Sequence, residues 1–250
     1  MCGTLPVRRV EARSEQMVTI RSKTFDILFG LWTALFGTFI PVLMLIRSPR
    51  LVRAVSRAWV RGALFLLKHV VGLDYVERGR ENLPADPCIV LSNHQSTWET
   101  LAANVLFPEV AVVAKKELLR VPVFGWYLRN QPMITIDREL GTQALRRMID
   151  GAKTALAEGR PVLVFPEGTR KAPDEPIDFK RGVEMIYSKL NVPVLPVVVN
   201  SGNFWGISGG PKRAGTIIVS YLPTIPPGLS GSEMVARATA AMEAERLSIG

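Results

Sequence analysis

Cys88-Ile89-Val90-Leu91-Ser92 runs straight into Asn93-His94-Gln95-Ser96, and a helical pattern begins at Thr97. A short apolar run bounded by polar turn residues fits a strand buried on both faces. The same succession recurs along the chain. Strands are predicted over 74–79, 88–92, 110–114, 133–136, 161–165, 193–199 and 216–222. Helices are predicted over 97–107, 122–129, 142–158, 180–190 and 232–247, and in the third of these Leu145, Met148, Ile149, Ala152 and Leu156 share one face. Strands alternating with helices predict an α/β fold with a largely parallel central sheet flanked by helices.

Strand C-termini in a parallel sheet share one edge, and ligands bind along that edge. The most polar short segments of the chain follow directly on predicted strands. They are Asn93-His94, Lys115-Lys116, Asp137-Arg138 and Glu167-Gly168-Thr169-Arg170. The topology therefore gathers one imidazole, several carboxylates and several cations at a single edge.

Composition narrows the function. With 48% hydrophobic and 21% charged residues in 250, the chain can build a core and is not disordered throughout. Two cysteines, Cys2 and Cys88, exclude a disulfide scaffold or a Cys-rich metal site. The net charge of +9 is unevenly spread: residues 1–72 hold 11 Lys/Arg against 3 Asp/Glu, and residues 73–250 hold 20 against 19. A near-neutral main domain argues against a nucleic-acid partner.

The basic third also holds the longest apolar run, the 20 uncharged residues Ile27–Ile46. As a helix they would extend roughly 30 Å, the thickness of a bilayer core. Gly30, Gly37 and Pro41 leave a second reading open, a bent segment dipping into one leaflet. In the helix predicted at 49–72, Arg50, Arg53, Arg57, Arg61 and Lys68 fall within an arc of about 80°. That stripe reads as a face on anionic lipid or as a charged face of a helix docked on the main domain. Three regions follow: a basic tail expected to be flexible at 1–24, a membrane-associating helical element at 25–72 and an α/β domain at 73–250.

His94 and Glu99 stand five residues apart, about 140° on a regular helix and out of reach. With His94 in the turn before the helix, Glu99 can reach back, fix the ring tautomer and leave the second nitrogen as a base. Ser96 to Glu99 also fits a capping box, which would commit the carboxylate to backbone. In Glu167-Gly168-Thr169-Arg170, a glycine for a tight turn, a hydroxyl and a guanidinium fork suit a phosphate, and suit a solvated turn as well.

Asn93 to Glu99 taken together with Phe165-Pro166-Glu167-Gly168-Thr169-Arg170 resembles the bacterial glycerolipid acyltransferase family, in its 1-acylglycerol-3-phosphate acyltransferase branch. Residues 133–138, 192–197, 114–118 and 179–182 agree in order, so the resemblance spans residues 75–225. It implies that His94, oriented by Glu99, deprotonates the sn-2 hydroxyl of lysophosphatidic acid, which then attacks an acyl thioester. It also implies a substrate-phosphate site of Lys115, Lys116, Glu167, Gly168, Thr169 and Arg170, supported by Asn93, Asp137 and Arg138. Neither a metal nor a cofactor is implied, since acyl-coenzyme A or acyl carrier protein is the co-substrate. Membrane phospholipids are the expected surroundings, at the cytoplasmic face of a bacterial inner membrane. Three alternatives stand beside this reading: another lysolipid or glycerol-phosphate acceptor, a thioesterase, and a non-catalytic lipid-surface module. The chain departs from the family at Glu99, where an aspartate is usual, and at Asn130-Gln131-Pro132, where a glycine is usual.

Overall fold

The strand at the centre of the molecule, β2 (Ile89–Ser92), is buried at all four positions. Its side chains alternate between two cores. Val90 points into a cluster with Phe25, Leu67, Trp98 and Leu101, whereas Ile89 and Leu91 join one with Ile149, Val183, Ile186 and Met234. The computed structural model describes residues 5–131, 133–136, 141–207 and 209–250, with side chains from residue 14 onward.

All seven predicted strands form, as β1 (Leu73–Arg78), β2, β3 (Ala111–Lys115), β4 (Ile134–Ile136), β5 (Val162–Val164), β6 (Val194–Val199) and β7 (Gly215–Tyr221). They make one sheet in the order β1-β7-β6-β2-β5-β3-β4. Every pairing is parallel except β6 with β7. Strands β2 to β6 therefore point their C-termini the same way, and β2 lies between β5 and β6. The predicted helices appear as α4 (Trp98–Leu106), α5 (Phe124–Arg129), α6 (Thr142–Ala157), α7 (Gly182–Leu190) and α8 (Gly231–Ile249). Helices α6, α7 and α8 cover one face of the sheet. The other face is covered by α4 and by the N-terminal helices α1 (Leu5–Gly37) and α3 (Pro49–Leu66), which continues as a π turn over Leu67–Val71.

Aromatic packing fastens the N-terminal element to the domain. Phe25 is fully buried, stacked on Phe29 at 5.5 Å and edge-on to Trp205 at 6.0 Å. Lys212, itself buried, pairs with Asp26 at 2.5 Å and lies over the rings of Phe25 and Trp205. Gly62 lets α1 and α3 meet, because a Cβ there would come within 2.3 Å of the Trp32 ring.

The N-terminal element bears on two expectations. From Leu5 onward the stretch expected to be flexible is helical, as the start of α1, and Ser22 is buried, accepting a hydrogen bond from the Lys212 amide. The inner side of α1 is held by the domain from Ser22 onward, through Ser22, Phe25 and Asp26. Of the two readings of the α3 stripe, the docked face describes most of it. Arg53 and Arg57 both pair with Glu109, and Lys68 pairs with Asp74, while Arg50 and Arg61 stay exposed. Those cations dock the helix onto the domain.

The apolar run bends, with α1 ending at Gly37 and α2 (Ile40–Ile46) beginning after two residues. The stretch Ser14–Ile46 is long and apolar enough to cross a membrane, and little of it is buried. Ile20, Ile27, Leu31 and Leu35 are exposed along one side of α1, followed by Phe39, Val42, Met44, Leu45 and Ile46. A contiguous exposed apolar surface of this kind is rare on a soluble monomer and suits a lipid or protein partner.

Candidate active site

Three loops leave the sheet side by side, after β5, β2 and β6. The middle one carries His94. Asn93, fully buried, anchors it to β6: its amide nitrogen donates to the Val199 carbonyl at 2.9 Å, and its amide oxygen accepts from the Val199 N–H at 2.8 Å. This pair of bonds extends the β2–β6 ladder by one rung made from a side chain. On the opposite side of the turn, the Lys171 amide donates to the His94 carbonyl at 2.8 Å. The ring of His94 stacks on Phe165 at 4.1 Å and 20°.

Because α4 starts only at Trp98, His94 lies outside the helix and Glu99 folds back onto it. The distance between His94 Nδ1 and Glu99 Oε1 is 2.8 Å. Both readings of Glu99 hold at once. Its Oε1 also accepts from the Gln95 and Ser96 amides at 2.7 and 2.6 Å, while Oε2 accepts from Ser96 Oγ at 2.6 Å and Ser201 Oγ at 2.7 Å. Burial alone would raise the pKa of this carboxyl; the hydrogen bond and field of His94, with the donors of Ser96, outweigh it and hold the value below normal. An ionised Glu99 is an acceptor only, so the shared proton sits on His94 Nδ1 and Nε2 is left to take a proton.

Glu167, expected at the phosphate, faces the other way. It is 2% exposed, and its Oε2 accepts from the backbone N–H of His94 at 2.8 Å. Burial, aided by the field of Glu99 and opposed by that one hydrogen bond, pushes its pKa up to about 7. This buried acid holds backbone and so shapes the loop that carries His94. Gly168 turns the chain at φ +70, a conformation that glycine adopts without strain. Thr169 is exposed, and the half-exposed Arg170 donates to the Ile207 carbonyl at 3.3 Å. Lys115 and Lys116 are exposed at the end of β3, two positions along the sheet from β2. Asp137 and Arg138 lie outside the described residues.

Ser201, fully buried, was not predicted. The rule that found the other segments applies to it, since Asn200-Ser201 is the polar pair directly after β6.

Beside this edge lies a mostly apolar chamber of about 630 Å³ counting its open mouth. Its wall includes Phe36 and Trp59 from the N-terminal helices, Tyr127 from α5, and Thr100 and Ala114, the sequence neighbours of Glu99 and Lys115. The Tyr127 hydroxyl donates to the Phe36 carbonyl at 2.9 Å, tying domain and N-terminal element together across it.

Residues 74–200 match a family model described as Acyltransferase. The 1-acyl-sn-glycerol-3-phosphate acyltransferase of Pseudomonas aeruginosa is 38% identical over 209 residues, 82% of this chain and 80% of that protein. The Saccharomyces cerevisiae protein of the same name is 32% identical over 173 residues, covering 67% of this chain and 57% of its own. Among solved structures, the 1-acyl-sn-glycerophosphate (LPA) acyltransferase PlsC from Thermotoga maritima superposes with a TM-score of 0.73 at 24% identity, over 92% of this chain and 97% of that one.

Proposed function

The chain belongs to the acyltransferase family matched over residues 74–200, and from that premise we propose that it acylates the sn-2 hydroxyl of lysophosphatidic acid to give phosphatidic acid. The observation that carries this reading is the buried Glu99 carboxylate on His94 Nδ1, next to a chamber suited to an acyl chain. The relatives bearing that name supply the acceptor. His94 Nε2 takes the hydroxyl proton as the oxygen attacks the thioester carbonyl. The tetrahedral intermediate then collapses, the C–S bond breaks, and the imidazolium returns its proton to the departing thiolate. Two substrates and one imidazole balance the reaction, so no further cofactor enters. The donor is acyl-coenzyme A or acyl-acyl carrier protein. Arg170, with Lys115, Lys116 and the Gly168-Thr169 turn, holds the substrate phosphate, as the planar fork of arginine suits.

The reaction takes place at a lipid surface. The outward side of α1 and α2 is apolar, while the inward side is held to the domain through Phe25 and Asp26. A helix so held lies in one leaflet, and it puts the chamber within reach of a lipid substrate. The cytoplasmic face of a bacterial inner membrane meets this need, because both donors are water-soluble carriers there.

Thiol release from acyl-coenzyme A, and in parallel from acyl carrier protein, tests the proposal. Detergent-purified protein is assayed with lysophosphatidic acid, with glycerol 3-phosphate and with no acceptor. Release should require lysophosphatidic acid and fall about 10²–10⁴-fold in His94→Ala. Release without acceptor makes the protein a thioesterase, and a preference for glycerol 3-phosphate reassigns the acceptor.

A further inference from the structure

The family match ends at residue 200, yet one side chain just beyond it reaches the core of the site. Ser201 opens the short turn Ser201–Asn203 after β6, and its backbone carbonyl accepts from the Phe204 and Trp205 amides. Its own hydroxyl lies 2.7 Å from Glu99 Oε2 and 3.0 Å from Ser96 Oγ. Two hydroxyls carry two protons. With the Trp98 amide donating to Ser96 Oγ at 2.9 Å, both serine protons are available to Oε2.

Glu99 has a more flexible side chain than aspartate, with one more rotatable bond between backbone and carboxylate. The Gln95 and Ser96 amides and Nδ1 converge on Oε1 and leave the carboxylate able to pivot about that oxygen. Oε2 needs a fixed point. Ser96 supplies one from the same turn, so it moves with Glu99. Ser201 supplies one from a neighbouring strand that is locked to β2 through Asn93–Val199 and through the Gly202 amide on Gln95 Oε1. We propose that Ser201 is a positioning residue: its hydroxyl fixes the plane of the Glu99 carboxylate and so holds His94 in the Nδ1–H tautomer with Nε2 free to act as base. The proposal rests on the acyltransferase reading for its kinetic consequences, but not for its structural one.

The test is a double-mutant cycle on the purified full chain. Ser201→Ala should lower kcat for lysophosphatidic acid about 10- to 100-fold, the range for one hydrogen bond to a charged group, and leave KM little changed. In a Glu99→Gln background the same substitution should cost less than about threefold, because the carboxylate it acts through is gone. An equal cost in both backgrounds, or wild-type kcat in Ser201→Ala, overturns the proposal. Ser201→Cys, nearly isosteric with a weak donor, replaces the alanine variant if that one does not fold. A substrate-free readout separates this outcome from failure of the acyltransferase reading. The chain has only two histidines, His69 and His94, so ¹⁵N spectra of the imidazoles are readily assigned. Ser201→Ala should move His94 from the Nδ1–H toward the Nε2–H tautomer. An unchanged tautomer overturns the proposal even if no acceptor is turned over.

Discussion

Glu99, in the first turn of α4, and Glu167, in the loop after β5, flank one histidine, and both are almost fully buried. One binds the ring of His94, the other its backbone N–H. Their electrostatics diverge. Glu99 gathers five donors and is held below the ordinary carboxylate range; Glu167 accepts one hydrogen bond from His94 and is pushed up to about 7. Desolvation disfavours the charge in both cases, so the supply of donors decides which acid stays ionised. Neutralising one acid lets the other remain charged within reach of its field. The site thus holds an acid kept below the ordinary carboxylate range on the imidazole and one pushed up to about 7 on the backbone beside it.

The largest difference between them should appear in turnover. Glu99→Gln replaces an obligate acceptor by an amide that also carries donors, so the Nδ1–H tautomer loses its support while the volume is kept. We expect kcat to fall about 10²–10⁴-fold. Glu167→Gln keeps an oxygen for the His94 N–H and should cost less than about tenfold. Steady-state kinetics on the two variants decides the matter. Equal losses would mean that the ring and the backbone of His94 are equally sensitive to their acids, and the assignment of separate roles would break.

The sequence made one member of this pair legible and misplaced the other, for a physical reason. Glu99 could be placed because its reach depends on where the helix starts, a local question that turn residues answer. Glu167 stood at the correct edge, but position after a strand does not say whether a side chain points to solvent or back into the sheet. That is settled by β2 lying next to β5, a pairing between residues 73 positions apart. The strands themselves were readable from apolar runs; their order, and the reversal of β1 and β7, were not. The arginines of α3 were similarly visible as a stripe, while their shared partner Glu109 was not, since it lies some fifty residues downstream. Ser201 was missed although the rule that exposed its neighbours would have found it.

A smaller but sharper contrast lies in the pH dependence of stability. The folded-state pKa of Glu167 is raised, so between its ordinary value and about 7 the folded protein holds a proton that the unfolded chain has released. Stability from this group is present below the ordinary carboxylate range and is lost as pH rises to about 7. The loss is on the order of 3 kcal/mol at most. Urea unfolding at pH 5 and pH 8 should show it in wild type and not in Glu167→Gln. Glu99 has the opposite sign: its contribution is present above the ordinary range and is lost as pH falls through its lowered value. An acid-side loss that persists in Glu99→Gln would locate that contribution elsewhere.

Removing a donor from Glu99 should make it resemble Glu167, and Ser96→Ala is the mildest way to do so. The substitution takes one hydrogen bond from Oε2 and leaves the Trp98 amide at the start of α4 without its side-chain acceptor. The Ser96 amide still donates to Oε1, and Ser201 still holds Oε2. The carboxylate therefore stays ionised at neutral pH, but its pKa moves up toward the ordinary range. Helix-capping and hydrogen-bond losses of this kind cost about 1–2 kcal/mol. The acid limb of the stability profile should begin at a higher pH than in wild type, while the Glu167-dependent decline toward pH 8 stays where it was. An unshifted acid limb would mean that the donors of Ser96 do not set the charge of Glu99, and the account by donor supply would have to rest on His94 and the backbone alone.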